Sequence, residues 1–200
     1  MSYESIFKPD LFQNKLVVVT GGGSGIGRCT AHELAALGAT VVITGRQAEK
    51  LENVATELES DGGAVDFLAF DIRDGVAVAD KVDEILRRHG KIDGLVNNAG
   101  GQFPARLEDI SQNGWNAVVA TNLTGGFLVS REVYKQWMKG NGGSIVNIIA
   151  DMWRSMVEMG HSGAARAGML SFTETAAVEW GPDGVRVNAV APGWIASSGF

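Results

Sequence analysis

The chain is poor in several features that mark particular classes of protein. Its 200 residues include one cysteine, Cys29, so no internal disulfide can form and the composition fits a reducing compartment. No apolar run approaches the length of a membrane span, and the first residues lack the basic-then-apolar pattern of a secretory signal. We therefore expect a cytoplasmic protein that does not cross a membrane. Cys29 is interpreted as a small core residue on a helix.

Basic residues are also too few for a nucleic-acid-binding surface. Lys and Arg total 17 against 23 Asp and Glu, which gives a formal net charge of −6, whereas a nucleic-acid partner would require a basic face. Apolar residues make up 45%, enough for a full core in a chain of this length. The 27 glycines show no repeat period, and no linker divides the chain. We predict a single domain over 1–200, with 1–12 as a surface arm and no metal site.

What the sequence does contain is a regular alternation of short β-branched runs and helical patterns. Helical patterns are expected after the glycine run Gly21–Gly27 as far as Leu37, and over Gln47–Ser60, Asp74–His89, Ser111–Lys139 and Ser162–Trp180. Strands are expected at Lys15–Thr20, Thr40–Thr44, Ala64–Phe70, Ile92–Val96, Gly143–Ile149 and Val185–Ala191. Continuously apolar strands that alternate with helices are typical of a doubly wound parallel sheet with helices on both faces, an α/β Rossmann fold.

The glycine run between the first strand and the first helix predicts a dinucleotide site. Glycines at this point let the backbone turn tightly and approach a pyrophosphate, whose charge is favoured at a helix N-terminus. The alternative is a merely flexible turn, which this position in the fold disfavours. The residues predicted to contact the cofactor here are Gly21, Ser24, Gly25, Ile26 and Gly27.

The end of the second strand indicates which cofactor is used. An NAD site places a carboxylate there to hold the ribose hydroxyls. This chain has Thr44-Gly45-Arg46 instead, and an arginine binds a 2′-phosphate that a carboxylate would repel. Arg46 therefore favours NADPH, with a solvated surface arginine as the alternative.

Further motifs, in order along the chain, resemble the short-chain dehydrogenase/reductase family. They are Thr20 with the spacing Gly21-x-x-x-Gly25-x-Gly27, Asp71, Asn97–Gly100, Asn122 and Pro192–Ile195, and the likeness runs from about Lys15 to Ser197. The resemblance implies that Asp71 and Ile72 hold the adenine and that Asn122 lies near the reacting groups. It also implies cofactor contacts for Asn98, Ala99, Gly100, Pro192, Gly193 and Ile195, with Ser197 at a position where the family usually has threonine.

The family's usual catalytic tyrosine and lysine, four residues apart, are absent. Ser162 and Arg166 occupy their positions, and the usual serine falls at Ile149 or Ala150. A serine alcohol is a far poorer acid than a phenol, whose pKa is about 10. Arg166 has an expected pKa above about 12, so it can bind ribose hydroxyls or stabilise negative charge but cannot cycle a proton. Such a site is poorly equipped for carbonyl reduction.

Reduction of an enoyl thioester depends less on a strong acid than carbonyl reduction does. Its negative charge builds on the thioester oxygen, which requires hydrogen-bond donors. The runs Asn98–Phe103, Gly143–Ile149 and His161–Gly168 resemble the peroxisomal trans-2-enoyl-CoA reductases, and Ala177–Pro182 resembles the 2,4-dienoyl-CoA reductases. The dienoyl group uses a serine and a lysine four apart, the positions of Ser162 and Arg166. The enoyl group's displaced tyrosine–lysine pair is absent, since Leu170 and Glu174 stand there.

Two other titratable residues are candidate catalytic groups. Asp151 follows the fifth strand and could hold a water or act as a base, or else be a solvated loop acid. His161 could donate a proton, or else cap or pack the helix. The intervening segment Met152–Met159 is rich in methionine and could line an acyl pocket or form a subunit contact.

The leading hypothesis is therefore an NADPH-dependent enoyl- or dienoyl-CoA reductase. The alternatives are a carbonyl or alcohol oxidoreductase that uses Asp151, His161 or water, and a non-catalytic NADP-binding protein. By the resemblance we expect a homotetramer formed through Ser111–Lys139 and Ser162–Trp180. Members of the family usually continue into a substrate-capping segment and a seventh strand, so the sequence suggests a truncated chain.

Overall fold

Six parallel strands form one sheet in a computed structural model that describes residues 3–196. The strands are β1 (Leu16–Thr20), β2 (Thr40–Gly45), β3 (Ala64–Ala69), β4 (Gly94–Asn97), β5 (Gly143–Ile148) and β6 (Val185–Val190). Their order across the sheet is β3-β2-β1-β4-β5-β6. The chain leaves β1 on one side and returns to it on the other as β4, which opens a crevice at the carboxyl ends of these two strands. The predicted fold class is confirmed.

Helices cover both faces of the sheet. On one face lie α1 (Gly25–Ala36) and α2 (Ala48–Ser60), and on the other lie α3 (Gly75–His89) and the two longest later helical stretches. The first of these stretches comprises α4 (Gln112–Val119), a π-helical turn at Ala120–Gly125, α5 (Gly126–Val133), a second π-helical turn at Tyr134–Met138 and the short α6 (Lys139–Asn141). The second is α7 (Gly160–Trp180).

The strands are buried on both faces because successive side chains point to opposite helical layers. Val17 and Val19 of β1 belong to the cluster under α1 and α2, while Leu16 and Val18 belong to the cluster under α3, α5 and α7. All five residues of β1 are buried. Fully burying each such side chain stabilises the fold by about 1.5–3 kcal/mol before entropy is counted. This double burial explains the apolar runs that identified the strands.

Local signals set the helix ends. Gly38, with φ of +89°, follows α1, and Gly90, with φ of +76°, caps α3. These left-handed conformations favour glycine because it lacks a Cβ. At the other end of α3 the Asp74 carboxylate accepts hydrogen bonds from the backbone N–H groups of Val76 and Ala77. The predicted helices and strands agree with the structure to within a few residues.

Three expectations differ from the structure. The helix predicted at Ser111–Lys139 contains the two π-helical turns, which a period of 3.6 residues does not reveal. The fourth strand begins at Gly94, two residues later than predicted. Cys29 does lie on a helix, but placing it in the core was wrong: it is exposed, because α1 buries Gly27, Ala31, His32 and Ala35 on its opposite side.

The N-terminal segment before β1 carries no helix or strand among its described residues. Phe12 packs partly buried against the cluster under α1 and α2, and its backbone N–H donates to the carbonyl of Leu37 at 2.8 Å. Within residues 3–196 no helix is long and apolar enough to cross a bilayer. The same residues contain no group of three or more His, Cys, Asp or Glu side chains placed to hold a metal ion.

Candidate active site

A cavity of about 890 Å³ lies at the carboxyl edge of the sheet, in the crevice between β1 and β4. One part, here called the glycine-loop end, is lined by the loop after β1 together with Arg46, Lys50, Asp71 and Arg73. The other part, the α7 end, is lined by 98–102, by the residues that follow β5 and by Arg166 of α7. The position and volume of the cavity suit a dinucleotide with a small additional molecule.

The glycine loop is packed so tightly that Gly21 and Gly27 have no room for a Cβ. Gly21 has φ of +67°, and a Cβ on it would lie 2.9 Å from the Cα of Ala99. A Cβ on Gly27 would lie 2.4 Å from both the Asn98 amide nitrogen and the Gly21 carbonyl oxygen. The Asn98 side chain donates to the carbonyls of Thr20 and Gly21 at 3.0 and 3.2 Å. Asn98 thus ties the loops after β1 and β4 together.

The N-terminus of α1 is open to an anion. Its N-cap residue Ser24 makes no side-chain capping hydrogen bond, and no acidic residue lies in the first turn. The Asp74 carboxylate, by contrast, closes the equivalent end of α3. Free backbone N–H groups and the helix dipole favour a phosphate at such a position. The residues present therefore fit the pyrophosphate of a nicotinamide dinucleotide.

Four charged side chains line the glycine-loop end. The Arg73 guanidinium binds the Asp71 carboxylate through two nitrogens, at 2.9 Å and 2.5 Å, and this contact is the main cause of a lowered Asp71 pKa. Arg46 contributes a smaller electrostatic effect in the same direction. Within residues 3–196, the side chains of Arg46 and Lys50 form neither an ion pair nor a hydrogen bond. Two exposed cations are thus available to an anionic ligand here.

Arg166 is a buried cation in the wall of the α7 end. Its Nη1 donates to the carbonyl of Ile148 at 2.7 Å, while its Nε is buried without a partner. A Cβ on Gly100 would lie 2.5 Å from its Nη2, so the glycine makes room for the guanidinium. Burial lowers the pKa of Arg166 to about 10, below the sequence-based expectation of more than about 12. The group nevertheless stays protonated at neutral pH.

Three residues predicted as catalytic do not line the cavity. Ser162 and His161 are fully buried at the start of α7, and the Ser162 hydroxyl donates to Oε1 of Gln102 at 3.3 Å. The Nδ1 of His161 accepts the Ser162 backbone N–H at 2.9 Å, and its Nε2 is buried without a partner. Asn122 is buried in the first π-helical turn, where its amide bonds both the N–H and the carbonyl of Gly101, each at 2.9 Å.

Asp151 is an exposed carboxylate that lines the cavity. Its loop continues the pairing of β5 with β6: the N–H of Ile149 donates to Val190 at 2.8 Å, and that of Asp151 donates to Pro192 at 3.0 Å. Of the methionine-rich segment Met152–Met159, the cavity is lined by Ser155, Met156, Val157 and Met159. A carboxylate and an apolar surface therefore both lie in the part of the cavity wall formed by the segment after β5.

Most of the cofactor contacts predicted from sequence converge on this cavity. It is lined by Gly21, Ser24, Gly25, Ile26, Arg46, Asp71, Ile72, Asn98, Ala99, Gly100, Arg166, Pro192, Gly193 and Ile195. Gly27 lies behind the wall, where it packs against Asn98. Ser197 falls outside the described residues. Sequence reasoning assigned no role to Lys50, Arg73 or Gln102, although Gln102 lies two residues after the Asn97–Gly100 motif and so could have been suspected.

Sequence comparison identifies relatives over nearly the whole chain. The family model described as short chain dehydrogenase matches residues 15–199. The peroxisomal 2,4-dienoyl-CoA reductase of Danio rerio is 40% identical over 198 residues, which are 98% of this chain and 66% of that protein. The chain thus spans about two thirds of the length of this curated relative.

Solved structures show the same architecture. A citronellol catabolism dehydrogenase from Pseudomonas aeruginosa PAO1 superposes with a TM-score of 0.94 at 63% identity, covering 97% of this chain and 80% of that one. An NAD(P)-dependent gluconate 5-dehydrogenase from Beutenbergia cavernae, described with bound NADP at low occupancy, has a TM-score of 0.90 at 32% identity, with 96% and 77% covered. From the matched family model and the shared sheet, this chain belongs to the short-chain dehydrogenase family of NAD(P)-dependent oxidoreductases.

Proposed function

We propose that this protein is an NADPH-dependent reductase of the carbon–carbon double bond of an enoyl- or dienoyl-CoA thioester. The observation that carries the proposal is the make-up of the α7 end, which offers hydrogen-bond donors but no phenol. The chain has two tyrosines, and both lie elsewhere: Tyr3 contacts Glu33, and Tyr134 contacts Asp183. Arg166 and Gln102 are two donors that line this end.

These donors match the charge that develops during reduction of an enoyl thioester. A nicotinamide bound at this site would supply a hydride to a carbon of the substrate, and negative charge would build on the thioester oxygen. Arg166, protonated at neutral pH, and the amide of Gln102 would donate hydrogen bonds to that oxygen. A proton must then reach carbon. A water held by the Asp151 carboxylate, which is exposed in the cavity, would relay this proton from solvent.

NADPH is preferred over NADH in this proposal because of the charges at the glycine-loop end. Arg46 and Lys50 are exposed and without ion-pair partners among residues 3–196, so both can pair with a 2′-phosphate. The NADP described in the Beutenbergia cavernae relative supports this choice. We assign the pyrophosphate to the open N-terminus of α1 and the adenine to the neighbourhood of Asp71 and Ile72.

The acyl group would lie against the apolar wall formed by Met156, Val157 and Met159. Trp194, with an exposed fraction of 77%, also lines the cavity, and Trp153 in the segment after β5 is 64% exposed. Such exposed apolar surface is suited to a hydrocarbon chain. The 2,4-dienoyl-CoA reductase activity of the Danio rerio relative supports a thioester substrate, and that relative is 40% identical.

A second candidate function is oxidation or reduction at an alcohol or carbonyl carbon. The relative with 63% identity is described as a citronellol catabolism dehydrogenase, which favours a methyl-branched acyclic substrate. In this case Asp151 would have to replace the phenol as the acid or base, since His161 is fully buried. The two candidates differ in the bond that is reduced, and substrate choice alone separates them.

The test is NADPH oxidation followed by the absorbance of the reduced nicotinamide. The substrates are crotonyl-CoA, trans-2-decenoyl-CoA, 2,4-hexadienoyl-CoA, the CoA thioester of a methyl-branched enoic acid, and citronellal as the carbonyl competitor. Turnover of a thioester that leaves the carbonyl untouched supports the proposal. Turnover of citronellal alone overturns it in favour of the second candidate. NADPH binding with no turnover would leave a non-catalytic NADP-binding protein.

We further propose assembly as a homotetramer through Ser111–Lys139 and Ser162–Trp180. Trp115, Phe127 and Val178 of these segments are exposed, and Val178 has an exposed fraction of 78%. A subunit interface would remove this apolar surface from water. Light scattering tests it, since a monomer at micromolar concentration contradicts the proposal. The single domain over 1–200 and the cytoplasmic location stay predictions of the sequence.

A further inference from the structure

The loop Gly101–Ala105, between β4 and α4, is anchored at both ends although it has no regular secondary structure. Both backbone polar groups of Gly101 are bonded to the Asn122 amide. The backbone N–H of Ala105 donates to the carbonyl of Glu158 at 2.8 Å. Between these anchors lie Gln102 and Phe103, whose side chains point to the start of α7.

Gln102 and Phe103 each contact one buried polar side chain of α7. The Ser162 hydroxyl donates a hydrogen bond to Oε1 of Gln102. The ring of His161 packs edge to face against the ring of Phe103, at a centroid distance of 4.6 Å. The His161 ring is itself oriented by the Ser162 backbone N–H. Ser162 and His161 are both fully buried, so neither can touch a substrate in the cavity.

In the structure the Gln102 carboxamide is oriented with its oxygen toward Ser162. Its oxygen is occupied by Ser162, while among residues 3–196 its amide nitrogen has no hydrogen-bond partner. Gln102 lines the cavity, so the end of the carboxamide that remains free to meet a ligand is the donor. If the amide rotated by half a turn, an acceptor would face the cavity and would repel an oxygen that gains negative charge.

We infer that Asn122, His161 and Ser162 are positioning residues that clamp the loop Gly101–Ala105 and thereby fix the Gln102 carboxamide with its amino group toward the substrate oxygen. This inference rests on the proposed function, because that function places an oxygen of growing negative charge beside Gln102. It replaces the direct catalytic role that the sequence suggested for Ser162. It also assigns the same role, the positioning of Gln102, to both buried polar residues at the start of α7.

A double-mutant cycle on the NADPH-loaded chain tests the clamp. The variants are Gln102→Leu, Ser162→Ala and their combination, and kcat and KM are measured with 2,4-hexadienoyl-CoA and trans-2-decenoyl-CoA. We expect Gln102→Leu to lower kcat by about 100-fold, the usual cost of one donor to an oxyanion. Ser162→Ala should lower kcat by about 10-fold, with the KM for NADPH unchanged, and should have no further effect once Gln102 is leucine.

A matched control removes a buried hydroxyl that does not touch the loop. Ser130 of α5 is also fully buried, and its oxygen accepts a hydrogen bond from Asn97 at 2.7 Å. Ser130→Ala should change kcat by the same factor in the unmodified chain and in the Gln102→Leu variant. If Ser162→Ala does not fold, Phe103→Leu is the second test, since it removes the contact with His161 from the exposed side. Its effect on kcat should likewise vanish in the Gln102→Leu background.

Two failures are distinguishable in this design. If the unmodified chain reduces the thioesters but Ser162→Ala lowers kcat by the same factor with and without Gln102, Ser162 acts independently and the inference is overturned while the proposed function stands. If the unmodified chain reduces neither thioester, the proposed function falls, and the inference falls with it.

Discussion

The charged and polar groups around the two ends of the cavity differ in how deeply they are buried. At the glycine-loop end the charged side chains, Arg46, Lys50, Asp71 and Arg73, are exposed or half-exposed, and Asp71 and Arg73 pair with each other. At the α7 end the polar groups Asn122, His161, Ser162 and Arg166 are buried and bond mainly to backbone or to a neighbouring side chain.

The difference predicts where a substitution matters most. Exposed ion pairs are screened by water, so each is worth at most about 1 kcal/mol to stability. Buried donors act in a medium of low dielectric and are worth much more to a developing charge. The glycine-loop end should therefore govern which cofactor binds, and the α7 end should govern how fast the reaction proceeds. The following substitutions test that division, from the largest expected effect to the smallest.

Replacing the buried cation should separate activity from stability. Arg166→Met removes a donor from the reacting oxygen and should lower kcat by at least about 100-fold. Stability should not fall, because the charge that burial disfavours is removed with it. Steady-state kinetics and thermal unfolding measure the two effects. Arg186→Met, at an exposed position on β6, is the control and should leave both unchanged; a lower Tm with normal kcat for Arg166→Met would contradict the proposed role.

The pH dependence of kcat tests the role of Arg166 in a second way. Burial disfavours the charged form and lowers the pKa of Arg166 to about 10, so the donor is present at neutral pH and is lost as pH rises through about 10. We expect kcat of the unmodified enzyme to decline there. The Arg166→Met variant should lack this decline, and finding the same decline in the variant would assign it to another group.

The glycine loop should tolerate no added methyl group at Gly27. Its Cβ would lie 2.4 Å from the Asn98 amide and the Gly21 carbonyl, so Gly27→Ala must push the loops after β1 and β4 apart. We expect a loss of about 1–3 kcal/mol in unfolding free energy and much weaker NADPH binding. Chemical denaturation and fluorescence titration measure these. Gly181→Ala is the control, because nothing lies within 4 Å of the added atom there.

Cofactor choice should depend on Arg46. Arg46→Ala removes a charge-assisted hydrogen bond to the 2′-phosphate and should weaken NADPH binding by about 10-fold or more, while NADH binding changes little. The ratio of the two dissociation constants, measured by nicotinamide fluorescence, is the readout. An equal loss for both cofactors would show that Arg46 does not meet the 2′-phosphate. Arg87→Ala, on the exposed side of α3, serves as the matched control.

The exposed Asp71–Arg73 pair should contribute least to stability. Arg73 lowers the Asp71 pKa, so the contribution of this carboxylate is present above the unfolded-state pKa and is lost as pH falls through the folded-state value. Asp71→Asn should therefore cost at most about 1 kcal/mol at pH 7, with no difference left in strongly acidic solution. Urea unfolding across this range checks it. A larger loss of unfolding free energy at neutral pH would contradict the expectation that exposed ion pairs at the glycine-loop end add little to stability.

The fold and the outline of the cofactor site followed from local pattern. Strand 40–45 and helix 48–60 were each predicted to within one residue, because apolar runs and amphipathic periodicity reflect burial in this sheet. The glycine spacing identified the crevice because tight backbone approach excludes side chains. Cys29 shows the limit of this reasoning, since composition alone does not say which side of α1 faces the core.

The α7 end was harder to predict because it depends on contacts between distant segments. Motif positions indicated Ser162 and Asn122 as groups near the reaction, yet the structure turns both toward the loop Gly101–Ala105. Gln102, 60 residues away from Ser162, lines the cavity instead. The π-helical turn that carries Asn122 has no signature in a pattern of period 3.6.

The sequence by itself determined the parallel α/β sheet, the family and the edge at which a dinucleotide would bind, because periodicity, glycine spacing and the alternation of strands and helices can be read along the chain. Only the tertiary structure decided which polar side chains reach the cavity. Burial and direction are set by packing between elements far apart in the chain: α7 places Arg166 in the wall but seals Ser162 and His161 beneath it.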